Sequence, residues 1–249
     1  MAGHSKFKNI MHRKGAQDKK RAKIFSRLGR EISVAVKEGG PDPEKNIRLR
    51  SAVGSAKSLN MPKDNIERAI KKGEGNDPDS NYEEVRYEGY GPEGVAIIVE
   101  ALTNNKNRTA AEVRSTFSKY GGNLGETGSV SFGFKRLGSI TLSKNNINEE
   151  ELFDFIIENG SEDYELNEDE FNIYCDQTIL HQLNQKIIER FGPTNFTGLI
   201  WKSENEISVS KEKAETLFKL LNILEENEDV QVVSSNFDVS DDILNTLTV

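Results

Sequence analysis

Cysteine, histidine and tryptophan are scarce in this 249-residue chain, which contains one cysteine, three histidines and one tryptophan. The single cysteine, Cys175, excludes an internal disulfide and a thiolate-rich metal site, and it is typical of a reducing compartment. We interpret it as a small apolar strand residue. The motifs of serine hydrolases, zinc proteases and P-loop nucleotide enzymes do not occur in the sequence. We therefore expect a non-enzymatic protein that needs no metal and no cofactor.

Long apolar runs are also missing. No stretch approaches the ~20 consecutive apolar residues that a membrane-spanning helix needs, and no apolar segment follows the first residues as in a secretory signal. We expect a cytoplasmic protein with no membrane partner. Hydrophobic residues still make up 35% of the chain, which is enough for compact cores, while 30% charged residues predict a strongly solvated surface.

Charge is abundant and unevenly distributed. The whole chain carries a formal net charge of −8. Residues 1–75 contain 19 basic and 8 acidic residues, a net charge of +11, whereas residues 76–249 have a net charge of −19. Such asymmetry indicates a segment that binds a polyanion, joined to an acidic body.

Three short amphipathic helices are predicted in the basic part. Apolar residues recur at steps of three and four over 16–38, again after Gly39-Gly40-Pro41, and again between 62 and 73. We expect Asp42 to cap the second helix and Pro43 to occupy its first position. No stripe can be buried alone, so the helices are predicted to form a small bundle.

Beyond a breaker-rich linker at 73–80, alternating patterns predict strands. Those before residue 136 are predicted at 82–87, 95–102 and 129–134, and a helix at 109–120 lies between the last two. Residues 136–205 predict a complete β-α-β-β-α-β order, the ferredoxin-like plait. The C-terminal residues supply a further helix and strand, which the interrupted first set lacks.

The predicted fold class is therefore α+β: an N-terminal three-helix domain followed by two ferredoxin-like α/β domains, the third inserted in the second. The alternative is three consecutive domains with a terminal α-β hairpin. The predicted domains are a basic helical nucleic-acid-binding domain at 1–80, a discontinuous α/β domain at 81–135 plus 206–249, and an inserted acidic domain at 136–205.

The strongest functional signal is the N-terminal basic segment. Residues 1–30 hold ten basic residues and one acidic residue. Lysine and arginine gain affinity for nucleic acid by releasing condensed counterions, and Phe7 between two lysines offers a ring that can stack on an exposed base. The alternatives are a flexible cationic tail or an organelle transit peptide. The predicted nucleic-acid-binding residues of this segment are Lys6, Phe7, Lys8, His12, Arg13, Lys14, Lys19, Lys20, Arg21, Lys23 and Arg27.

Two loops are further candidates. The polar run 104–109 joins a predicted strand to a helix start, so its amides and Arg108 could hold a phosphate or a base edge. The alternative is a capped loop whose side chains bond to their own backbone. The glycine-rich run 120–125 follows a helix instead of preceding one, which favours a helix C-terminus over a phosphate-binding loop.

Several longer runs closely resemble the YebC family, whose mitochondrial members activate translation. The resemblance extends over essentially the whole chain, and the runs that carry it include MAGHSK at 1–6, NMPKDNIERAI at 60–70, YEGYGP at 87–92, NRT at 107–109 and SKYGGNLG at 118–125. The resemblance implies the domain arrangement above, a cytoplasmic location and no enzymatic chemistry. Phe7 stands where the family usually has tryptophan, and residues 131–134 are less typical.

The resemblance also implies a nucleic-acid-linked role in one of two forms. The form we favour is a ribosome-associated translation factor that helps translation through difficult peptide stretches such as proline runs. The other is a DNA-binding transcriptional regulator, for which the second helix offers Asn46, Arg48 and Arg50 as base-reading side chains. An enzyme of unknown chemistry is a second alternative. The expected partner is ribosomal RNA or duplex DNA, with the ribosome as the expected assembly, and the chain is expected to be a monomer.

Overall fold

A computed structural model describes residues 17–75, 81–144, 147–166, 169–240 and 243. The chain forms two compact units. One is the continuous segment Phe134–Lys202, and the other combines the segments that precede and follow it. Each unit is described below by itself.

The first part of the discontinuous unit is helical. Its helices are α1 (Gln17–Gly39), α2 (Ile47–Ser58) and α3 (Lys63–Glu74). Apolar residues from all three helices form one core, which buries Ile32 and Val36 of α1, Leu49 and Ala56 of α2 and Ile66 of α3. The predicted three-helix bundle is confirmed.

The start of α2 differs from the prediction. Asp42 and Pro43 belong to a turn, and the helix begins four residues later with Asn46 as its cap. The Asn46 side chain accepts the N–H of Leu49 and donates to the carbonyls of Ala35 and Gly40. Asn46 is buried against the end of α1, so a tertiary contact selects the cap over the local Asp-Pro signal.

The remaining elements alternate between strands and helices. In chain order they are β1 (Glu83–Tyr90), β2 (Ala96–Thr103), α4 (Lys106–Lys119), β3 (Asn123–Leu124), β4 (Phe134–Ser143), α5 (Glu149–Glu158), β5 (Ser161–Leu166), β6 (Glu170–Cys175), α6 (Leu180–Phe191), β7 (Phe196–Ser203), β8 (Ile207–Ser208), α7 (Lys211–Glu226), β9 (Val230–Ser235) and β10 (Phe237–Asp238). Short 3-10 helices lie at Pro92–Gly94 and Ser131–Gly133.

The discontinuous unit contains a four-stranded sheet in the order β3-β1-β2-β9. Strand β9 follows the insertion in sequence, yet it pairs antiparallel with β2, with Val99 opposite Val233. Helices α4 and α7 bury Phe117, Leu217 and Leu221 in a core shared with the sheet. A two-stranded parallel pair, β8 and β10, completes this unit.

The continuous unit has the predicted β-α-β-β-α-β order, and its sheet has the order β5-β6-β4-β7. Helices α5 and α6 pack through Phe155 and Phe191, whose ring centroids lie 5.2 Å apart. Cys175 is fully buried in strand β6, and burial raises the pKa of its thiol to about 11. This confirms its interpretation as a small core residue.

The predicted α+β fold, with an α/β domain inserted in another, is confirmed. The domain boundaries given above stay a prediction. The strand predicted at 129–134 is wrong, because only Phe134 belongs to a strand and residues 131–133 form the 3-10 helix. None of the described helices is long and apolar enough to cross a membrane.

Candidate nucleic-acid interface

The predicted binding residues fall into three groups. Lys6, Phe7, Lys8, His12, Arg13 and Lys14 lie outside the described residues. Lys19 and Lys20 lie on helix α1. Four others have described side chains: Arg21, Lys23, Arg27 and Arg108. The assignment of all twelve to a nucleic-acid interface stays a prediction, and the geometry below concerns these four and their neighbours.

Arg21 lies on the exposed side of α1. Its guanidinium carbon lies 5.4 Å from the centroid of the Phe25 ring, and one Nη contacts the carbonyl oxygen of Asn60 at 3.4 Å. Both are weak contacts in geometry, and they leave the side chain exposed to solvent. Arg21 is therefore available to a phosphate.

Another side of α1 faces residues 225–229, of which all but Asn227 are acidic; this segment runs from the end of α7 to the start of β9, and we term it the acidic turn. Arg27 donates a hydrogen bond to the carbonyl oxygen of Glu225. Arg30 donates to the carbonyl of Glu228 at 2.5 Å and to Oδ1 of Asp229 at 2.7 Å. Both cations thus hold the basic helix against the α/β part of the same unit.

Burial affects the cations on this side of α1. Burial lowers the pKa of Lys23, and the neighbouring positive charge of Arg27 lowers it further, while the carboxylates of the acidic turn oppose both effects. Burial likewise lowers the pKa of Arg27, with the charge of Glu225 acting in the opposite direction. These two predicted residues are therefore less free to meet an external polyanion than Arg21 is.

Asp229 is the centre of these contacts. Its side chain is 4% exposed, and Oδ1 accepts from Arg30. Oδ2 accepts from Arg108 at 2.6 Å, from the Thr109 hydroxyl at 2.6 Å and from the Thr103 hydroxyl at 3.0 Å. A buried carboxylate is stable only when its oxygens are paired in this way. Asp229 joins α1, β2 and α4.

Arg108, predicted to hold a phosphate or base edge, is engaged by Asp229, although nearly half of its side chain remains exposed. The loop before it is capped as the alternative interpretation proposed, because Asn105 accepts the N–H of Arg108 and the Thr103 hydroxyl accepts the N–H of Asn105. A cavity of about 380 Å³ opens beside the ion pair of Arg108 and Asp229. Arg30, Arg108 and Tyr82 line it. The carboxylates of Glu112, Glu228 and Asp229 also line it, so its charge is mixed.

The three side chains considered for reading DNA bases serve the fold. Asn46 caps α2 and is buried. Arg48 contacts the carboxylates of Glu31, Glu38 and Glu84 at 2.5 to 2.8 Å. Arg50 donates to the carbonyls of Pro43 and Glu44. Base readout needs side chains that reach out of the helix with free donors, and all three have internal partners.

Helix α3 carries a basic face that the sequence-based set of binding residues missed. Arg68, Lys71 and Lys72 are exposed and lie three and four positions apart, which places them on one side of the helix. Lys72 also contacts the Tyr82 hydroxyl at 3.2 Å. The spacing of these cations in the sequence indicates a basic helix face. It is a weaker signal than the ten basic residues within positions 1–30.

The glycine-rich run after α4 is a helix C-terminus. Gly121 has a φ of +73°, and the N–H groups of Gly121 and Gly122 donate to the carbonyls of Ser118 and Phe117. This is the pattern of a Schellman cap, so the helix-stop interpretation is confirmed. Among the described residues, no group of three or more histidine, cysteine or acidic side chains is arranged to hold a metal ion.

Comparison with known proteins gives a consistent result over most of the chain. A model of the TACO1/YebC N-terminal domain matches residues 5–76, and a model of the TACO1/YebC second and third domain matches residues 82–237. Among solved structures, a conserved hypothetical protein from Aquifex aeolicus is 45% identical. The match covers 90% of this chain and 93% of that chain, with a TM-score of 0.84.

Proposed function

Because the chain belongs to the TACO1/YebC family, we propose that it regulates gene expression as a ribosome-associated translation factor that grips ribosomal RNA through its basic helices. The family is in general one of transcription-regulator-like, nucleic-acid-binding proteins, and it is regulatory instead of enzymatic. The ribosomal role and a cytoplasmic location are the parts that we propose.

The observation that carries the proposal is the separation of charge along the chain. Residues 1–75 have a net charge of +11 and the remaining residues one of −19. Exposed cations on α1 and α3, such as Arg21, Arg68 and Lys71, attract phosphates without regard to sequence. The acidic remainder repels phosphates over most of its surface, which directs the phosphate contacts to the basic end of the chain.

The use of Asn46, Arg48 and Arg50 within the fold favours RNA over sequence-specific DNA. A transcriptional regulator reads base edges in the major groove with several free side chains on one helix. In helix α2 these polar side chains have partners within the protein: Asn46 caps the helix, Arg48 pairs with carboxylates and Arg50 donates to two carbonyl oxygens. Recognition through phosphates suits a structured RNA surface, where shape and charge decide binding.

Sedimentation with ribosomes tests the proposal. Tagged protein in cell lysate is centrifuged through a sucrose cushion at low and moderate salt, with and without excess duplex DNA as competitor. We expect the protein to sediment with ribosomes in the presence of the competitor. Transfer of the protein to the DNA-bound fraction would contradict the proposal and support the DNA-binding transcriptional regulator instead.

A further inference from the structure

Phe132 is exposed to solvent near the end of the loop formed by residues 125–133, which we term the aromatic loop. The Phe132 side chain is 79% exposed, the largest fraction among the large hydrophobic side chains that the structure describes. Its neighbour Val130 is only 1% exposed. The loop thus buries one apolar side chain and turns the next one outward.

The backbone of the aromatic loop is held by a buried carboxylate. Glu88, on strand β1, has a side chain that is 0% exposed, and its Oε2 accepts the N–H of Val130 at 3.0 Å and that of Ser131 at 2.9 Å. Its other oxygen lies 2.9 Å from Nε of Arg86. A buried carboxylate is unfavourable unless its oxygens are paired. Because the N–H groups of Val130 and Ser131 supply that pairing, moving the loop would leave the carboxylate of Glu88 without these donors, and the loop backbone is therefore held in place.

Further contacts hold the start of the aromatic loop. The backbone N–H of Gly125 donates to the carbonyl of Glu88 at 2.8 Å. The Tyr90 hydroxyl donates to the carbonyl of Ser129, also at 2.8 Å. The residues before Phe132 are therefore ordered by β1 through both backbone and side chains, and the ring is presented on a prearranged support. A binding residue held in this way loses little conformational freedom when it binds.

The surroundings of Phe132 indicate what kind of surface it meets. Ser131 and Gly133 flank it, so the loop offers one ring and not the contiguous apolar patch that protein docking uses. A single ring face is sufficient to stack on an unpaired nucleobase. A second ring, Tyr90, is 38% exposed beside the loop. Strand β3 pairs with β1 at Tyr90, which brings the end of α4 close, where the Lys119 ammonium lies over the Tyr120 ring.

We propose that Phe132 is a base-stacking residue, which inserts against an unpaired base of the nucleic acid that the basic helices hold by its phosphates. The proposal rests on the proposed nucleic-acid-binding function and adds a contact to the α/β part of the chain. Aromatic stacking discriminates little between bases, because every base has a π face. Phe132 therefore selects unpaired over paired nucleic acid, while the basic helices supply general affinity.

Two fluorescent probes separate stacking from charge. One is a single-stranded 12-nucleotide oligoadenylate, and the other is an abasic oligonucleotide of the same length and charge. Affinities of the full chain are measured by fluorescence anisotropy. We expect Phe132→Ala to weaken binding of the oligoadenylate by about 5- to 100-fold and to leave binding of the abasic probe unchanged.

Matched variants identify the ring as the cause. Phe132→Leu keeps an apolar side chain and is expected to behave like Phe132→Ala, whereas Phe132→Trp is expected to retain the wild-type affinity. Because Phe132 is exposed, none of the three changes is expected to alter the unfolding midpoint. Thermal unfolding of each variant checks this.

The outcomes separate this proposal from the function on which it rests. Wild-type binding of both probes with no effect of Phe132→Ala overturns base stacking and leaves nucleic-acid binding intact. A loss of ribosome sedimentation in Phe132→Ala, with both affinities unchanged, overturns stacking in favour of a protein contact. Wild-type protein that binds neither probe contradicts the proposed function as well.

Discussion

Asp229 shows how much one residue can organise in this protein. Burial by itself raises the pKa of a carboxyl group, but hydrogen bonds from Thr109, Arg108 and Thr103, together with the charge of Arg30, outweigh it and lower the pKa of Asp229. The group is therefore ionised in the folded protein at neutral pH. It balances two cations that come from different helices.

Replacing this carboxylate is predicted to be costly. Asp229→Asn keeps the size of the side chain but removes the charge, and it leaves Arg30, only 14% exposed, without its buried counterion. We expect a loss of about 2–4 kcal/mol in the free energy of unfolding at pH 7, measured with urea. Glu228→Gln is the matched control, because Glu228 is 86% exposed and also contacts Arg30. Its effect is expected to stay below about 1 kcal/mol.

Wild type and Asp229→Asn are also predicted to differ in how the free energy of unfolding depends on pH. The folded-state pKa of Asp229 lies below its ordinary value of 3.8, so the stabilisation by its charge is complete above that value. It is lost as the pH falls through the folded-state pKa. The difference in unfolding free energy between wild type and Asp229→Asn is therefore expected to shrink from pH 7 to pH 3. A constant difference would show that the charge is not the cause.

At the scale of elements, the aromatic loop depends on one contact with strand β1. The Glu88 carboxylate is buried, which by itself raises its pKa, but the N–H groups of Val130, Gly128 and Ser131 and the charge of Arg86 lower the pKa overall. A charged acceptor makes stronger hydrogen bonds than a neutral one. The order of the loop is thus tied to an ionised Glu88.

Hydrogen exchange tests this dependence. Glu88→Gln retains one acceptor oxygen but removes the charge, so the amides of residues 125–133 are expected to exchange about 5- to 10-fold faster than in wild type. Amides of α4 are expected to keep their rates. Glu126→Gln, an exposed change within the same loop, serves as the control. Equal protection of the loop in all three proteins would contradict the role given to Glu88.

The elements that were predicted correctly are those encoded locally. The spacing of Ile32, Ala35 and Val36 marks the buried face of α1, and the glycines after Tyr120 mark the end of α4. The errors arise where a distant partner decides. Residues 129–134 have a strand-like pattern. The backbone N–H groups of Val130 and Ser131, however, donate to the side chain of Glu88, more than 40 positions earlier, and this segment forms a turn instead of a strand.

The candidate site follows the same division. A charge run predicts which part of the chain binds a polyanion, because charge is a property of composition. It does not predict that Arg27 and Arg30 contact the acidic turn almost 200 positions later. Nor does it predict that the loop residue Phe132 is displayed, since the exposure of a phenylalanine depends on how its backbone is held.

At the scale of the whole molecule, the basic helices have one side engaged with the rest of the unit and another side open. The acidic turn neutralises part of α1, whereas Arg68 and Lys71 of α3 remain exposed. Among the residues that the structure describes, we expect the exposed cations of α3 to contribute most to electrostatic contact with nucleic acid. This expectation concerns binding and not folding, because these side chains contribute little to the core.

Charge reversal on α3 measures that contribution. Arg68→Glu with Lys71→Glu is expected to weaken binding to single-stranded RNA and to flatten its dependence on salt by about 0.7 per lost phosphate contact in a double-logarithmic plot. Lys211→Glu with Lys213→Glu makes the same change in net charge on exposed residues of α7. The α7 variant is expected to keep the wild-type slope. An equal loss of slope in both would mean that only net charge matters.

The pairing of β2 with β9 has a consequence for how the protein is made. Translation adds about 5 to 20 residues per second, so Asp229 leaves the ribosome about 10 to 40 seconds after Arg30, its partner 199 positions earlier. Late in that interval the inserted segment has its complete set of strands, while the sheet that contains β2 still lacks β9. Helix α1 therefore leaves the ribosome before the carboxylate that pairs with Arg30 has been synthesised, so its positive charge has no internal counterion during that time.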